Sequence, residues 1–169
     1  MTGRARALGI AIGACGVLMI VLPALPWYGA SLPTGDASLS GYGAGGTTWI
    51  IPVIGAALVV SGALAVWWGV PPGSRGSRAL GAVALLWAAL GVAWVATTAL
   101  SPDVHVVAAR EGLPDATLAG EWAVSTLPAA WACLAVAALA GMAGILLMAP
   151  RPGDGPADEA GAHPSGDGA

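Results

Sequence analysis

Residues 49–100 read WIIPVIGAALVVSGALAVWWGV-PPGSRGSR-ALGAVALLWAALGVAWVATTAL, two apolar runs of 22 residues separated by eight. As an α-helix, each run would rise about 33 Å at roughly 1.5 Å per residue. That length is enough to cross the hydrocarbon core of a bilayer, which is about 30 Å thick. Because the connection between the runs is so short, the two helices are predicted to be antiparallel neighbours.

Two further apolar runs flank this pair. The first follows Arg4 and Arg6, and its 20 residues exceed the roughly 7–15 of a signal-peptide core, so we expect an uncleaved signal anchor. Prolines end or begin the runs, and Thr47 or Thr48 and Ser125 or Thr126 are the expected helix caps. The predicted spans are residues 7–26, 49–70, 79–100 and 127–149.

These runs predict an all-α fold, an integral membrane four-helix bundle that occupies residues 1–149. Residues 150–169 are rich in Gly, Pro and Asp and predict a disordered tail, because they offer little apolar surface to bury. The 29–47 connection, rich in Gly and Ser, is interpreted as a flexible tether.

Composition agrees with a membrane protein. Hydrophobic residues make up 57% of the chain and charged residues only 9%, against about 25% charged in ordinary globular proteins. The expected partner of so much apolar surface is the lipid bilayer. A net charge of −3 with no lysine argues against nucleic acid as a partner.

The arginines predict the orientation. With four spans, five of the six arginines fall on one side, and only Arg110 falls on the other. Under the positive-inside rule both termini are cytoplasmic, and the expected location is a bacterial cytoplasmic membrane. The five are Arg4, Arg6, Arg75, Arg78 and Arg151.

No Asp, Glu, Lys, Arg or His lies within the four predicted spans. Ionisable groups inside a membrane usually mark proton or ion pathways, so the sequence favours neither a coupled transporter nor an enzyme. No catalytic residue, cofactor or metal is predicted. The outer loop with Asp103, His105, Glu111 and Asp115 is the best polar candidate, but one histidine with scattered carboxylates indicates a solvated loop rather than a zinc site.

Aromatic residues lie near the expected membrane surfaces, where tryptophan and tyrosine anchor helices at the headgroups. Trp87 and Trp94, together with Trp131, offer an alternative, an aromatic cage for a cation or headgroup, although belt and packing roles explain them as well. The predicted interfacial anchors are Trp27, Tyr28, Trp49, Trp67, Trp68 and Trp122.

Small residues spaced four apart allow helices to approach closely. Such patterns occur in the first, second and fourth runs and predict helix packing, with a homo-oligomer as a further option. The residues are Gly9, Gly13, Ala57, Ser61, Ala65, Ala137 and Gly141.

The layout resembles a known family. An Arg-flanked first helix is followed by Trp27, and the second helix begins Thr48-Trp49-Ile50-Ile51-Pro52-Val53. Then comes an Arg-containing turn that leads into Arg78-Ala79-Leu80-Gly81-Ala82, and Trp131 lies early in helix four. This arrangement resembles the small tryptophan-operon-associated four-helix membrane proteins of high-G+C Gram-positive bacteria. The resemblance covers about residues 4–152 and implies the source and topology, with a link to tryptophan biosynthesis by gene neighbourhood and no established catalytic residues.

The leading functional hypothesis is therefore a non-enzymatic accessory, interaction or envelope protein, whose partner is a second copy or another membrane protein. The alternative is a carrier, or accessory subunit, for a neutral or aromatic solute such as tryptophan. A membrane-embedded enzyme comes third and depends only on the loop with Asp103 and His105.

Overall fold

A computed structural model describes residues 3–32, 35–43, 48–71, 73–100 and 124–149. Within these ranges four helices are long and apolar enough to cross a membrane, which confirms the predicted helical architecture. The tail at 150–169 and residues 101–123, which include the loop with Asp103 and His105, lie outside the described residues. The helices are α1 (Gly3–Val21), α2 (Ile50–Trp67), α3 (Arg75–Leu100) and α4 (Pro128–Met148), and a 3-10 turn at Leu22–Ala24 follows α1.

Two helices begin earlier than expected and take arginines into their first turns. α1 contains Arg4 and Arg6, and α3 starts at Arg75 rather than at residue 79. At α3 the cause is Ser74, whose hydroxyl oxygen accepts a hydrogen bond from the backbone N–H of Ser77 at 3.2 Å. A serine in this position satisfies one of the free donors at the start of a helix.

The residues that directly precede α2 and α4 are not the Thr and Ser residues expected as caps. α2 begins after Trp49 and α4 begins after Leu127, and neither residue makes a side-chain cap bond. Pro128 holds the first position of α4, where its missing N–H has no helical partner to lose. At the far end of α2, Gly69 adopts a φ of 57°, the left-handed conformation that commonly ends a helix.

The four helices form a bundle in which each helix has two neighbours. α1 packs against α2 and α4, and α3 packs against the same two helices. The buried positions of α1 alternate steps of four and three residues, the heptad spacing of left-handed helix packing. These positions are Ala5, Gly9, Ile12, Gly16 and Met19.

Glycines bring the backbones together within each hairpin. A Cβ placed on Gly62 would lie 2.5 Å from the carbonyl oxygen of Gly9, and one on Gly55 would lie 2.7 Å from the carbonyl oxygen of Gly16. In the second hairpin, a Cβ on Gly81 would lie 2.6 Å from the carbonyl oxygen of Gly144. α1 with α2, and α3 with α4, are therefore the closest helix pairs.

A small antiparallel sheet closes one end of the bundle, which we call the sheet end. β1 (Pro26–Leu32) lies between β2 (Gly35–Ser40) and β3 (Val124–Thr126). The chain is thus mostly helical rather than all-α, and much of the segment interpreted as a flexible tether is paired strand. The opposite end, where α1 and α3 begin, carries Arg4, Arg6, Arg75 and Arg78, and we call it the arginine end.

The glycine crossing predicts a large difference between two neighbouring substitutions. Gly62→Ala should lower the free energy of unfolding by about 1–3 kcal/mol, because the new methyl group overlaps the backbone of α1. Gly13→Ala should be neutral or stabilising by up to about 1 kcal/mol, because no heavy atom lies within 4 Å of that Cβ and alanine favours the helix. Unfolding in mixed micelles, followed by circular dichroism, measures both; equal effects would contradict the close approach.

Candidate functional site

The candidate site lies at the sheet end of the bundle. Trp27 and Tyr28 are consecutive, yet both side chains are buried, at 0% and 3% exposure. The register of β1 against β2 shifts between Pro26 and Tyr28, so that Trp27 is an extra residue in the strand. Such a β-bulge interrupts the alternation that would otherwise place one of the two side chains outside.

Side chains from the strands satisfy the carbonyl groups at the end of α3. The hydroxyl of Tyr28 donates to the carbonyl oxygen of Thr98 at 2.6 Å, and the hydroxyl of Thr126 donates to that of Ala99 at 2.8 Å. The last four carbonyls of a helix have no partner within it. Burial raises the pKa of Tyr28, which keeps its hydroxyl protonated and able to donate.

Side chains also donate hydrogen bonds to the carbonyl groups at the end of α1. The indole N–H of Trp27 donates to the carbonyl oxygen of Leu22 at 3.0 Å, and the hydroxyl of Tyr42 donates to that of Ile20. Gly41 lies flat on the indole, since a Cβ there would be 2.9 Å from two ring carbons of Trp27. This glycine is needed because the backbone approaches the ring too closely for any side chain.

The predicted anchors therefore divide into two groups. Trp49, Trp67 and Trp68 are 61%, 86% and 63% exposed, as a residue must be to reach lipid headgroups, and their anchoring role stays a prediction. Trp27 and Tyr28 are enclosed by the protein, so the expectation that they face lipid is corrected to a role in closing the bundle. Trp122 lies outside the described residues.

The three tryptophans of the alternative aromatic cage lie on the neighbouring helices α3 and α4. Trp87 and Trp94 are partly buried and pack against the core. Trp131 is 46% exposed on α4. The cage for a cation or headgroup therefore stays a prediction.

The predicted packing residues lie in or beside helix contacts. Gly9 is buried against α2, Ser61 and Ala65 are buried in α2, and the hydroxyl of Ser61 donates to the carbonyl oxygen of Ala57 at 2.8 Å. Ala137 and Gly141 are buried in α4. Gly13 lies at the crossing through its backbone, because a Cβ on Gly62 would be 2.6 Å from the Gly13 nitrogen, although a Cβ on Gly13 itself would point into open space.

The glycines at the closest crossings were largely missed from the sequence. The search for small residues four apart found Gly9 but not its partners, because the true spacing in each helix is seven. Both pairs show it, Gly9 with Gly16 and Gly55 with Gly62. Gly81 and Gly144 were also missed.

The sequence also named four polar residues as candidates. Asp103, His105, Glu111 and Asp115 fall outside the described residues. Within the described part of the chain, no group of three His, Cys, Asp or Glu side chains could hold a metal ion. Cys133 is buried and Cys15 half-buried within their helices.

Comparisons with protein-family models, with curated proteins and with solved structures find no match for this chain. The resemblance to the tryptophan-operon-associated proteins therefore stays a prediction.

Tyr28→Phe should destabilise the protein more than Tyr42→Phe, although each removes one hydroxyl donor. Tyr28 is 3% exposed, so the loss of its hydroxyl leaves the part-buried carbonyl of Thr98 without this donor, at a cost of about 1–3 kcal/mol. Tyr42 is 40% exposed, so water replaces its hydroxyl and the change is expected to be close to zero. Unfolding in mixed micelles again gives the comparison, and an equal or reversed order would contradict the capping role of Tyr28.

Proposed function

We propose that this chain is a multi-pass protein of a bacterial cytoplasmic membrane, with four spans and both termini in the cytoplasm. Large apolar side chains are exposed on the outside of all four helices, among them Leu18, Val60, Leu86 and Leu139. That surface fits lipid better than water. The arginines at one end favour the cytoplasmic side for that end.

Within the membrane, the proposed role is that of a non-enzymatic accessory or interaction protein. The observation that carries this proposal is the filled axis of the bundle. Ile12, Met19, Ile54, Leu58 and Val95 are each at most 1% exposed. Because close-packed side chains occupy the space between the helices, the fold favours a scaffold that presents its outer surface over a carrier with an internal solute path.

The sheet also supports the proposed interaction role, because it holds the helix ends together. Strand pairing and side-chain caps fix the ends of α1 and α3 to each other through β1, with Tyr28 bound to Thr98 and the backbone N–H of Leu127 bound to the carbonyl oxygen of Trp27 at 2.7 Å. A closed end of this kind holds the four outer helix faces in a constant relation. A constant surface is what recognition of a partner helix requires.

The proposed topology predicts the labelling of two single cysteines in a background where Cys15 and Cys133 are replaced by alanine. Ser38→Cys is exposed in β2 at the sheet end, and Gly3→Cys is exposed at the arginine end with no heavy atom near its Cβ. A membrane-impermeant maleimide should label the first in intact cells and the second only after permeabilisation. The reverse pattern would contradict the orientation.

The proposed interaction predicts a protein contact on a limited face of the bundle. A photo-reactive residue is placed in turn at Leu18, Val60, Leu86 or Leu139, one on each helix and all at least 45% exposed. Irradiation of native membranes should give a discrete protein cross-link at one or two adjacent helices, because a specific interface covers only part of the circumference.

The matched control for this scan is Leu58, which is 0% exposed and touches only its own bundle. A cross-linked product identical in mass to two copies identifies a homo-oligomer, and any other mass identifies a partner. If all four positions yield only the monomer at near-native expression, the interaction role is wrong.

A further inference from the structure

An apolar groove, which we call the α1–α2 groove, runs along the outside of the first hairpin. Ile10 and Val17 form its α1 wall, and Val59, Val66 and Trp67 form its α2 wall. Its floor includes Gly13, where no heavy atom lies within 4 Å of the position of a Cβ. The glycines that bring the two backbones together therefore also leave a furrow on the surface.

A cation and an indole stand where this groove meets the arginine end. Arg6 precedes Ile10 by four residues, so it lies on the same face of α1, one turn closer to the end. Trp67 is the last residue of α2 and is 86% exposed. From Arg6 to Val17, α1 rises about 16 Å, comparable with the part of an acyl chain nearest its headgroup.

We propose that the α1–α2 groove binds one anionic phospholipid, with an acyl chain along the groove and the phosphate on Arg6. A guanidinium offers paired N–H donors that match two phosphate oxygens. Trp67 lies at the boundary between chain and headgroup, where an indole is most favourable. Among the described residues the single acidic side chain is Asp36, which belongs to β2 at the sheet end, so Arg6 has no described carboxylate beside it.

The second hairpin provides a comparison within the same molecule. A similar groove between α3 and α4 is lined by Leu85, Ala89 and Met142, and no tryptophan lines it. The nearest preceding arginine on that face of α3, Arg78, comes seven residues before Leu85, which is about 10 Å along the helix. This groove can accept a chain, but among the described residues no arginine lies within one turn of it to select the charge of the headgroup.

The test uses the delipidated full chain in detergent, titrated with dioleoyl-phosphatidylglycerol or with dioleoyl-phosphatidylcholine. Native mass spectrometry counts the bound lipids and gives the Kd of the first. The wild-type protein should prefer the anionic lipid. Arg6→Gln should weaken phosphatidylglycerol about fivefold, the factor that corresponds to about 1 kcal/mol for one cation at an anionic surface. It should weaken phosphatidylcholine less, because the choline cation already offsets the charge of that phosphate.

Matched variants separate a site from general attraction. Arg78→Gln removes the same charge from the other hairpin and should have little effect on the first lipid. Gly13→Leu places a side chain in the α1–α2 groove, starting from a Cβ with no heavy atom within 4 Å, and should abolish the preference, whereas Ala89→Leu in the other groove should preserve it. Arg6→Lys keeps the charge without the paired donors and should fall between the wild type and Arg6→Gln.

Three results would overturn the proposal: equal affinity of the wild-type protein for the two lipids, equal losses at Arg6 and Arg78, or an unchanged preference in Gly13→Leu. Circular dichroism of each variant establishes that the helices are intact, so a loss of binding is assigned to the groove.

Discussion

In the first hairpin two helix backbones touch where glycines face each other, Gly9 against Gly62 and Gly16 against Gly55. These helices are apolar on every side, so hydrophobicity alone does not tell the inner face from the outer one. At the crossings side-chain size makes that distinction, because glycines lie between the two backbones while large residues such as Ile10 and Val17 stay on the outside. The association then depends on dispersion contacts between close backbones, which fall away with a small increase in separation.

Close packing of this kind fixes how the helices lie side by side, while the sheet end fixes where they stop. The carbonyl groups of Thr98 and Ala99 would be without partners at the end of α3, and the strands supply the hydroxyl groups of Tyr28 and Thr126. Because β1 follows α1 and β3 precedes α4, the same strands join the two hairpins. The sheet is thus both the cap of two helices and the tie between two helix pairs.

Much of the helical architecture could be predicted from the sequence, since run length and composition are sufficient to identify four spans. The residues at which helices begin and end were harder to predict, because they depend on single contacts, such as the Ser74 cap that extends α3 to Arg75. The sheet could not be predicted from alternation, because the bulge at Trp27 buries two successive side chains. The glycine crossings were present in the sequence as a spacing of seven, but a search at spacing four does not find them.

The tie between Tyr28 and Thr98 also has a consequence for the order in which the chain is made. The two residues are separated by 70 positions, and a ribosome adds about 5–20 residues per second. The glycine contacts of the first hairpin involve only α1 and α2, so they can form once α2 has been synthesised. Synthesis of the residues between Tyr28 and Thr98 takes roughly 4–14 s, and during that time the Tyr28 hydroxyl has no carbonyl of α3 to bind. During synthesis Tyr28 is therefore made well before its partner, whereas Leu22 and Gly41, which contact the Trp27 indole, are present before α3 is made.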